Sequence, residues 1–306
     1  MADASDFEES GRANPLTRLQ HLLHAHPTLG PLFVLAIMYG FFALASEDGR
    51  FLSAFNMSLI VQQATIVGTL AVGQTIIILT AGIDLSVGAV MVFASIVMAK
   101  LQVDMGIPAP IAVGAGFATG LLAGGLNGLL ITRLRLPPFI TTLGTMSIFF
   151  ALNIYVSDGD TIRGVAMDPF MLLMGETFEL FGTKFTYASV ALIGVYMAMA
   201  YILSMTRWGK HVYAIGDEPE SARLAGVRVR RMLLSVYATA GLIYGVTAWF
   251  FIGRIGAASP QSGGTLNLDT ITAVVIGGTS LFGGRGSVWG ALMGALIVTG
   301  ARNGLT

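Results

Sequence analysis

The chain has 306 residues, 54% of them hydrophobic and 11% charged, with 17 basic residues balancing 17 acidic ones. Soluble domains carry about 25% charged residues, so this much apolar surface calls for lipid as its solvent. The balanced charge offers no basic patch for nucleic acid. The absence of cysteine excludes disulfides, thiol redox chemistry and cysteine-ligated metal.

In chain order, Met1 to His26 is polar, with Asp3, Asp6, Glu8, Glu9, Arg12 and Arg18. It lacks the apolar run of a signal peptide and reads as a cytoplasmic tail over residues 1–27. His21, His24 and His26 have no cysteine or acidic cluster beside them and read as part of that tail, not as a metal site. A transmembrane domain is expected over 28–306. A spanning helix needs roughly 20 mostly apolar residues. Nine segments approach this, at 28–46, 57–80, 85–101, 108–132, 138–156, 186–206, 230–253, 268–283 and 286–303. The eighth is short and ends in glycine, as a partial or re-entrant span would. The expected fold is an all-α polytopic bundle. An odd count places the C-terminus outside and points to a tenth span beyond Thr306.

Cytoplasmic loops are enriched in Lys and Arg. With the N-terminus inside, the inner loops hold eleven basic residues and the outer loops six. The inner set is Arg12, Arg18, Arg133, Arg135, Arg207, Lys210, Arg223, Arg228, Arg230, Arg231 and Arg285. The long outer loop, 157–185, is partly apolar and reads as a segment lying along the membrane surface.

Gly116, Gly120, Gly124 and Gly128 recur every four residues, and so do Gly286, Gly290 and Gly294. Residues four apart share a helix face, so each stripe reads as a place where another backbone approaches closely. The two stripes lie an odd number of spans apart, as an inverted internal repeat would place them.

The inner loop 207–229 contains Asp217-Glu218-Pro219-Glu220-Ser221-Ala222-Arg223, followed by Gly226. Pro219 suits a first helical turn, with an acidic residue at the cap. Gly226 suits a left-handed stop. A short helix over about 218–225 is expected there. On spacing alone, it reads equally as an amphipathic connector or as a docking element.

Several stretches carry a family resemblance. Glu220-Ser221-Ala222 with Gly226 is similar to the E-A-A-x-x-x-G loop of ABC importer permeases, with Ser221 in place of the first alanine. Thr80-Ala81-Gly82-Ile83-Asp84-Leu85-Ser86-Val87-Gly88, Asn127-Gly128-Leu129, Pro137-Pro138-Phe139-Ile140-Thr141-Thr142-Leu143-Gly144 and the Gly-rich run 277–290 occur in family order. From about Val61 to Leu305 the chain resembles the permeases of ribose-, xylose- and galactose-type importers. That family also includes permeases for small polyols and furanoses, and a distant branch carries branched-chain amino acids. The resemblance implies a cobalamin-importer-like fold of about ten helices in the inner membrane. It also implies a permease homodimer, a separate ABC ATPase subunit, a periplasmic sugar-binding protein and a monosaccharide substrate. The coupling residues it implies are Asp217, Glu218, Glu220, Ala222, Arg223 and Gly226. No phosphate loop of the form G-x-x-x-x-G-K-[ST] is present. ATP and Mg²⁺ therefore belong to the ATPase partner, and this chain itself binds no cofactor.

Asp84, between two apolar runs, reads either as a cap of the third helix, with Ser86 as the other candidate, or as a gate residue. Gln74, Asn127, Thr141, Thr142, Asn153, Asp269 and Thr272 could line a path for a hydroxylated solute, or could bond to neighbouring helices. Arg50, Arg163, Lys184 and Arg254 face outward in this topology. They could meet acidic groups of a binding protein or snorkel to headgroups. An ion-coupled transporter and an amino-acid permease are the rival readings. An enzyme is excluded by the lack of paired catalytic carboxylates, metal ligands or a nucleophile–base set.

Overall fold

The computed structural model describes residues 28–180 and 182–305. The expected N-terminal tail, with His21, His24 and His26, lies outside the described residues. Each apolar segment becomes a helix: α1 Leu29–Ala45, α2 Ala54–Ile78, α3 Val87–Val103, α4 Ala109–Leu134 and α5 Pro138–Ser157. After a short helix α6, Pro169–Leu172, come α7 Tyr187–Met205, α8 Arg207–Asp217, α9 Pro219–Leu224, α10 Val229–Ile255, α11 Leu266–Ile276 and α12 Val288–Gly304. The chain is a polytopic all-α membrane bundle. Among the described residues, five helices (α2, α4, α5, α7 and α10) are long and apolar enough to cross a membrane. α11 has 11 residues. At 1.5 Å per residue it covers about 16 Å, half of a hydrocarbon core of about 30 Å.

α2 and α10 form the centre of the bundle. α2 is buried along most of its length, while α4, α5 and α7 each expose an apolar face. The longest contact is between α4 and α10. Glycine on both sides makes it possible. A Cβ on Gly120 would meet the carbonyl oxygen of Gly241 and the backbone of Gly245, and one on Gly124 would meet the carbonyl of Tyr237. Gly128 faces Leu234 and Tyr237, and Gly116 faces the Met98 side chain of α3. Gly290 and Gly294 lie against Gly277 and Ala273, closing α11 onto α12. Gly286 differs from the expected stripe. It precedes α12, at φ +152 in the α11–α12 turn, and packs on Thr279. Ser287, whose hydroxyl accepts from the Trp289 N–H, caps the helix only after that turn.

The outer loop is more structured than a strip along the membrane surface. Ile162–Arg163 (β1) pairs antiparallel with Ala257–Ala258 (β4). Thr177–Leu180 (β2) pairs with Thr183–Thr186 (β3). Met167 and Met171 are buried, the Trp249 indole donates to the Phe170 carbonyl at 3.2 Å, and Gly175 abuts Gly253. The segment therefore folds as a cap on the end of α10. The opposite end of the bundle gathers the α2–α3 turn, the α8–α9 segment and the α11–α12 turn.

Coupling helix and buried polar turn

α9 is short, and its ends explain why it forms. Pro219 occupies the first turn, where its missing N–H costs nothing. At the other end Gly226 has φ +88. The Val227 N–H donates to the Ala222 carbonyl and the Gly226 N–H to the Arg223 carbonyl, both at 3.0 Å. These two bonds are the Schellman pair that satisfies the last carbonyls of a helix. The helix is one residue shorter at each end than the expected 218–225. Glu218 takes the cap position but makes no side-chain cap bond. Glu220 instead accepts from the Arg223 Nε at 3.0 Å. That hydrogen bond holds the Glu220 carboxyl below its ordinary value. Ala222 is buried against the protein. Leu224, at 76% exposure, is an apolar side chain that the rest of the described chain leaves uncovered.

The second feature lies inside the bundle. Between α2 and α3, residues 79–86 leave helical geometry. The segment turns at Ala81 (φ +58) and is buried almost throughout. Non-helical backbone at membrane depth needs internal partners, and it has them. The Thr142 hydroxyl of α5 accepts from the Leu85 N–H and donates to the Ile83 carbonyl, both at 3.1 Å. With its amide oriented to satisfy both atoms, Gln74 of α2 pairs with the backbone N–H and carbonyl of Asp84, each at 3.2 Å. Asp84 Oδ1 accepts from the Ser86 N–H at 2.7 Å and from the Ser86 hydroxyl at 2.6 Å. Asn127 of α4 donates to the same hydroxyl at 2.9 Å. One step further on, Asn153 of α5 donates to the Ala89 carbonyl at 3.3 Å. Tyr237 and Tyr244 of α10 close the remaining side.

The capping expectation for Asp84 and Ser86 is corrected by this arrangement. Ser86 stands at the cap position of α3 without a side-chain cap bond, because its hydroxyl is committed to Asp84. Asp84 in turn bonds the N–H of Ser86, two residues on, and no N–H within α3. Together, Gln74, Asp84, Asn127 and Thr142 hold one turn, and Asn153 extends it. Thr141 lies apart, with its hydroxyl on the Pro137 carbonyl at 3.1 Å, and Thr272 is exposed. Asp269 stands outside the group: it pairs with Arg302 at 2.7 Å and ties the first turn of α11 to the last of α12. Sequence reasoning missed the two tyrosines and the α10 side of the glycine contact. The spacing Gly241-x-x-x-Gly245 was available as a signal for the latter.

A multi-pass helical membrane protein with a capped helix at one end and a buried polar turn beside it is the class that this geometry defines. A family model described as branched-chain amino acid transport system / permease component matches residues 56–306. The chain is 47% identical over 304 residues to the Fructose import permease protein FrcC of Rhizobium meliloti, covering 97% of this chain and 84% of the relative. It is 36% identical to the Ribose import permease protein RbsC of Bacillus subtilis, with 91% and 84% covered. It is 35% identical to the Galactose/methyl galactoside import permease protein MglC of Haemophilus influenzae, with 90% and 85% covered. No solved structure matches it. The chain belongs to this family of ABC importer permeases. It is therefore a multi-pass inner-membrane transport component and not an enzyme. Membership implies a separate ATPase subunit and a periplasmic sugar-binding protein as partners.

Proposed function

We propose that the chain forms the transmembrane path through which an ATP-driven importer moves a monosaccharide delivered by its binding protein. α9 carries this reading. It is a separately capped helix that projects an exposed Leu224 and the Glu220–Arg223 pair from one end of the bundle. That end also bears Arg133, Arg135, Arg207, Lys210, Arg228, Arg230, Arg231 and Arg285, which supports a cytoplasmic position for it and a cytoplasmic N-terminus. Asp217, Glu218, Glu220, Ala222, Arg223 and Gly226 form the docking element for the ATPase, and ATP with Mg²⁺ is bound there on the partner. Two copies of the permease assemble around the path.

Gln74, Asp84, Asn127 and Asn153 are the gate group in this reading. Asn127 Oδ1 and Asn153 Oδ1 are buried acceptors with no hydrogen-bond partner among the described residues, and the Asp84 carboxyl has the Tyr244 hydroxyl beside it; opening the bundle would expose all three to hydroxyl groups. Thr141 and Asp269 already have partners and fall outside the group. The test is ATP hydrolysis by the permease reconstituted in lipid with its ATPase subunit and binding protein. The panel is fructose, ribose, galactose, xylose and, because of the family description, leucine. Stimulation by one sugar-loaded binding protein is the expected result. Stimulation by leucine alone moves the substrate to amino acids. Uptake that persists without the ATPase and collapses with an ionophore refutes the reading.

A further inference from the structure

The coupling helix and the buried turn are joined by backbone-to-backbone contact. α9 begins two residues after Asp217, the last residue of α8. At the end of α8, Gly216 lies directly on the backbone of Leu79 and Gly284, so a Cβ there would overlap the Leu79 carbonyl. Gly283 (φ +84) lies on Gly216 and on the Ala81 N–H, and Gly284 (φ +69) on the backbone of Asp217. The Gly284 N–H donates to the Leu79 carbonyl at 3.0 Å. The Tyr213 hydroxyl of α8 donates to the Gly286 carbonyl at 2.9 Å. The end of α8, the α2–α3 turn and the α11–α12 turn thus meet at one point with no side chain between their backbones. Leu79 and Ala81 lead within five residues to Asp84 and its polar partners.

Side chains hop between rotamers and absorb small displacements, whereas backbones in contact cannot yield without breaking the contact. We propose that this joint of Gly216, Leu79, Gly283 and Gly284 is a rigid link that carries movement of α9 directly into the Thr80–Ser86 turn. Gly216, Gly283 and Gly284 are positioning residues for transport and do not touch substrate. The inference rests on α9 being the ATPase-docking helix and adds where the stroke goes next.

The test uses the reconstituted permease with its ATPase and binding protein. Gly216→Ala improves helix propensity within α8 but forces the joint apart. The expected result is that the ATPase still co-purifies and hydrolyses ATP at its basal rate, while stimulation by loaded binding protein and sugar uptake fall at least tenfold. Wild-type uptake by Gly216→Ala overturns the proposal. If that variant does not assemble, hydrogen exchange of the wild-type complex offers a second measurement. The Gly284 N–H donates to the Leu79 carbonyl across the joint. A rigid link keeps that amide as protected during ATP turnover as at rest, within twofold. Protection lost only during turnover means that the joint opens during the cycle, and overturns the proposal. Failure of the wild-type ATPase to bind at all would refute the docking role itself, an outcome distinct from both.

Discussion

Replacing Asp84 separates a residue that holds the turn from one whose charge is used. Its Oδ1 accepts two hydrogen bonds, from the N–H and the hydroxyl of Ser86, at 1% exposure. Asp84→Ala removes both acceptors. The Ser86 hydroxyl can rotate, but its N–H has no other acceptor, and leaving it unpaired costs about 1–3 kcal/mol. The small void adds about 1 kcal/mol. Asp84→Asn keeps Oδ1 where it is and puts an amide in place of Oδ2, beside the Tyr244 hydroxyl. The loss of charge assistance is then offset by the end of an unpaired buried charge, leaving a net change of about 1 kcal/mol or less. At roughly 2–4 °C per kcal/mol for a chain of this size, Asp84→Ala should unfold about 4–16 °C below wild type and Asp84→Asn within about 4 °C. The assay is thermal unfolding in detergent, followed by tryptophan fluorescence, beside uptake in proteoliposomes. A wild-type midpoint for Asp84→Ala would refute the role of Asp84 in the turn. An Asp84→Asn variant that is stable but inactive would assign the negative charge to transport itself.

Four further outcomes follow from the same structure. Gly120→Ile should lower the unfolding midpoint, because its Cβ meets the Gly245 N at 2.7 Å and overpacking costs about 1–3 kcal/mol. Gly125→Ala, with open space around its Cβ, should leave the midpoint unchanged, and equal midpoints for the two variants would contradict the α4–α10 contact. Gly226→Ala, at φ +88, strains the end of α9 by about 1–2 kcal/mol. ATPase stimulation should fall while the midpoint moves by only a few degrees, and unchanged stimulation would remove the Schellman stop from the coupling account. For Glu220 the folded pKa is depressed. Its pair with Arg223 is therefore complete above the ordinary carboxylate value of about 4.3 and is lost only as pH falls through the lower folded value. The uptake profiles of wild type and Glu220→Gln should have the same shape from about pH 5 to 8, and a step present only in wild type would place the titration elsewhere. The charge swap Glu220→Arg/Arg223→Glu restores the pair within α9 but should not restore uptake under the proposed docking of Glu220 on the ATPase. Full rescue would make the pair merely structural.

Much of the bundle was legible because lipid imposes strong rules on sequence. A run of apolar residues is a helix, and all nine expected segments contain one, although the eighth, expected over 268–283, ends at Ile276, where the glycine-rich turn begins. Pro219 and Gly226 bounded α9 because each has a narrow range of allowed backbone geometry. Gly286 was misplaced because periodicity continues through a turn when the turn is also glycine-rich. Only its φ of +152 separates it from Gly290 and Gly294. The β1–β4 pairing joins Ile162 to Ala258, nearly a hundred residues apart, and two-residue strands leave no alternating pattern to detect. The polar turn was half legible. Gln74, Asp84, Asn127 and Thr142 stood out as polar residues in apolar surroundings, but their convergence on one turn is a tertiary fact that no local pattern encodes.

That convergence also bears on how the gate group could work. Native proteins pair over 90% of their buried polar groups, yet Asn127 Oδ1 of α4 and Asn153 Oδ1 of α5, on side chains that bond Ser86 and Ala89 at the start of α3, have no hydrogen-bond partner among the described residues. Each unmatched acceptor costs about 1–3 kcal/mol in this closed arrangement, a cost that falls when the seam between these helices meets water or sugar hydroxyls. Under the proposed gate reading, opening the seam gives both acceptors donors, so a modest push can shift the balance between the two arrangements. The glycine joint reaches the start of that seam at Leu79 and Ala81. A rigid link there needs only to displace the turn to bring those two acceptors within reach of water or a sugar hydroxyl.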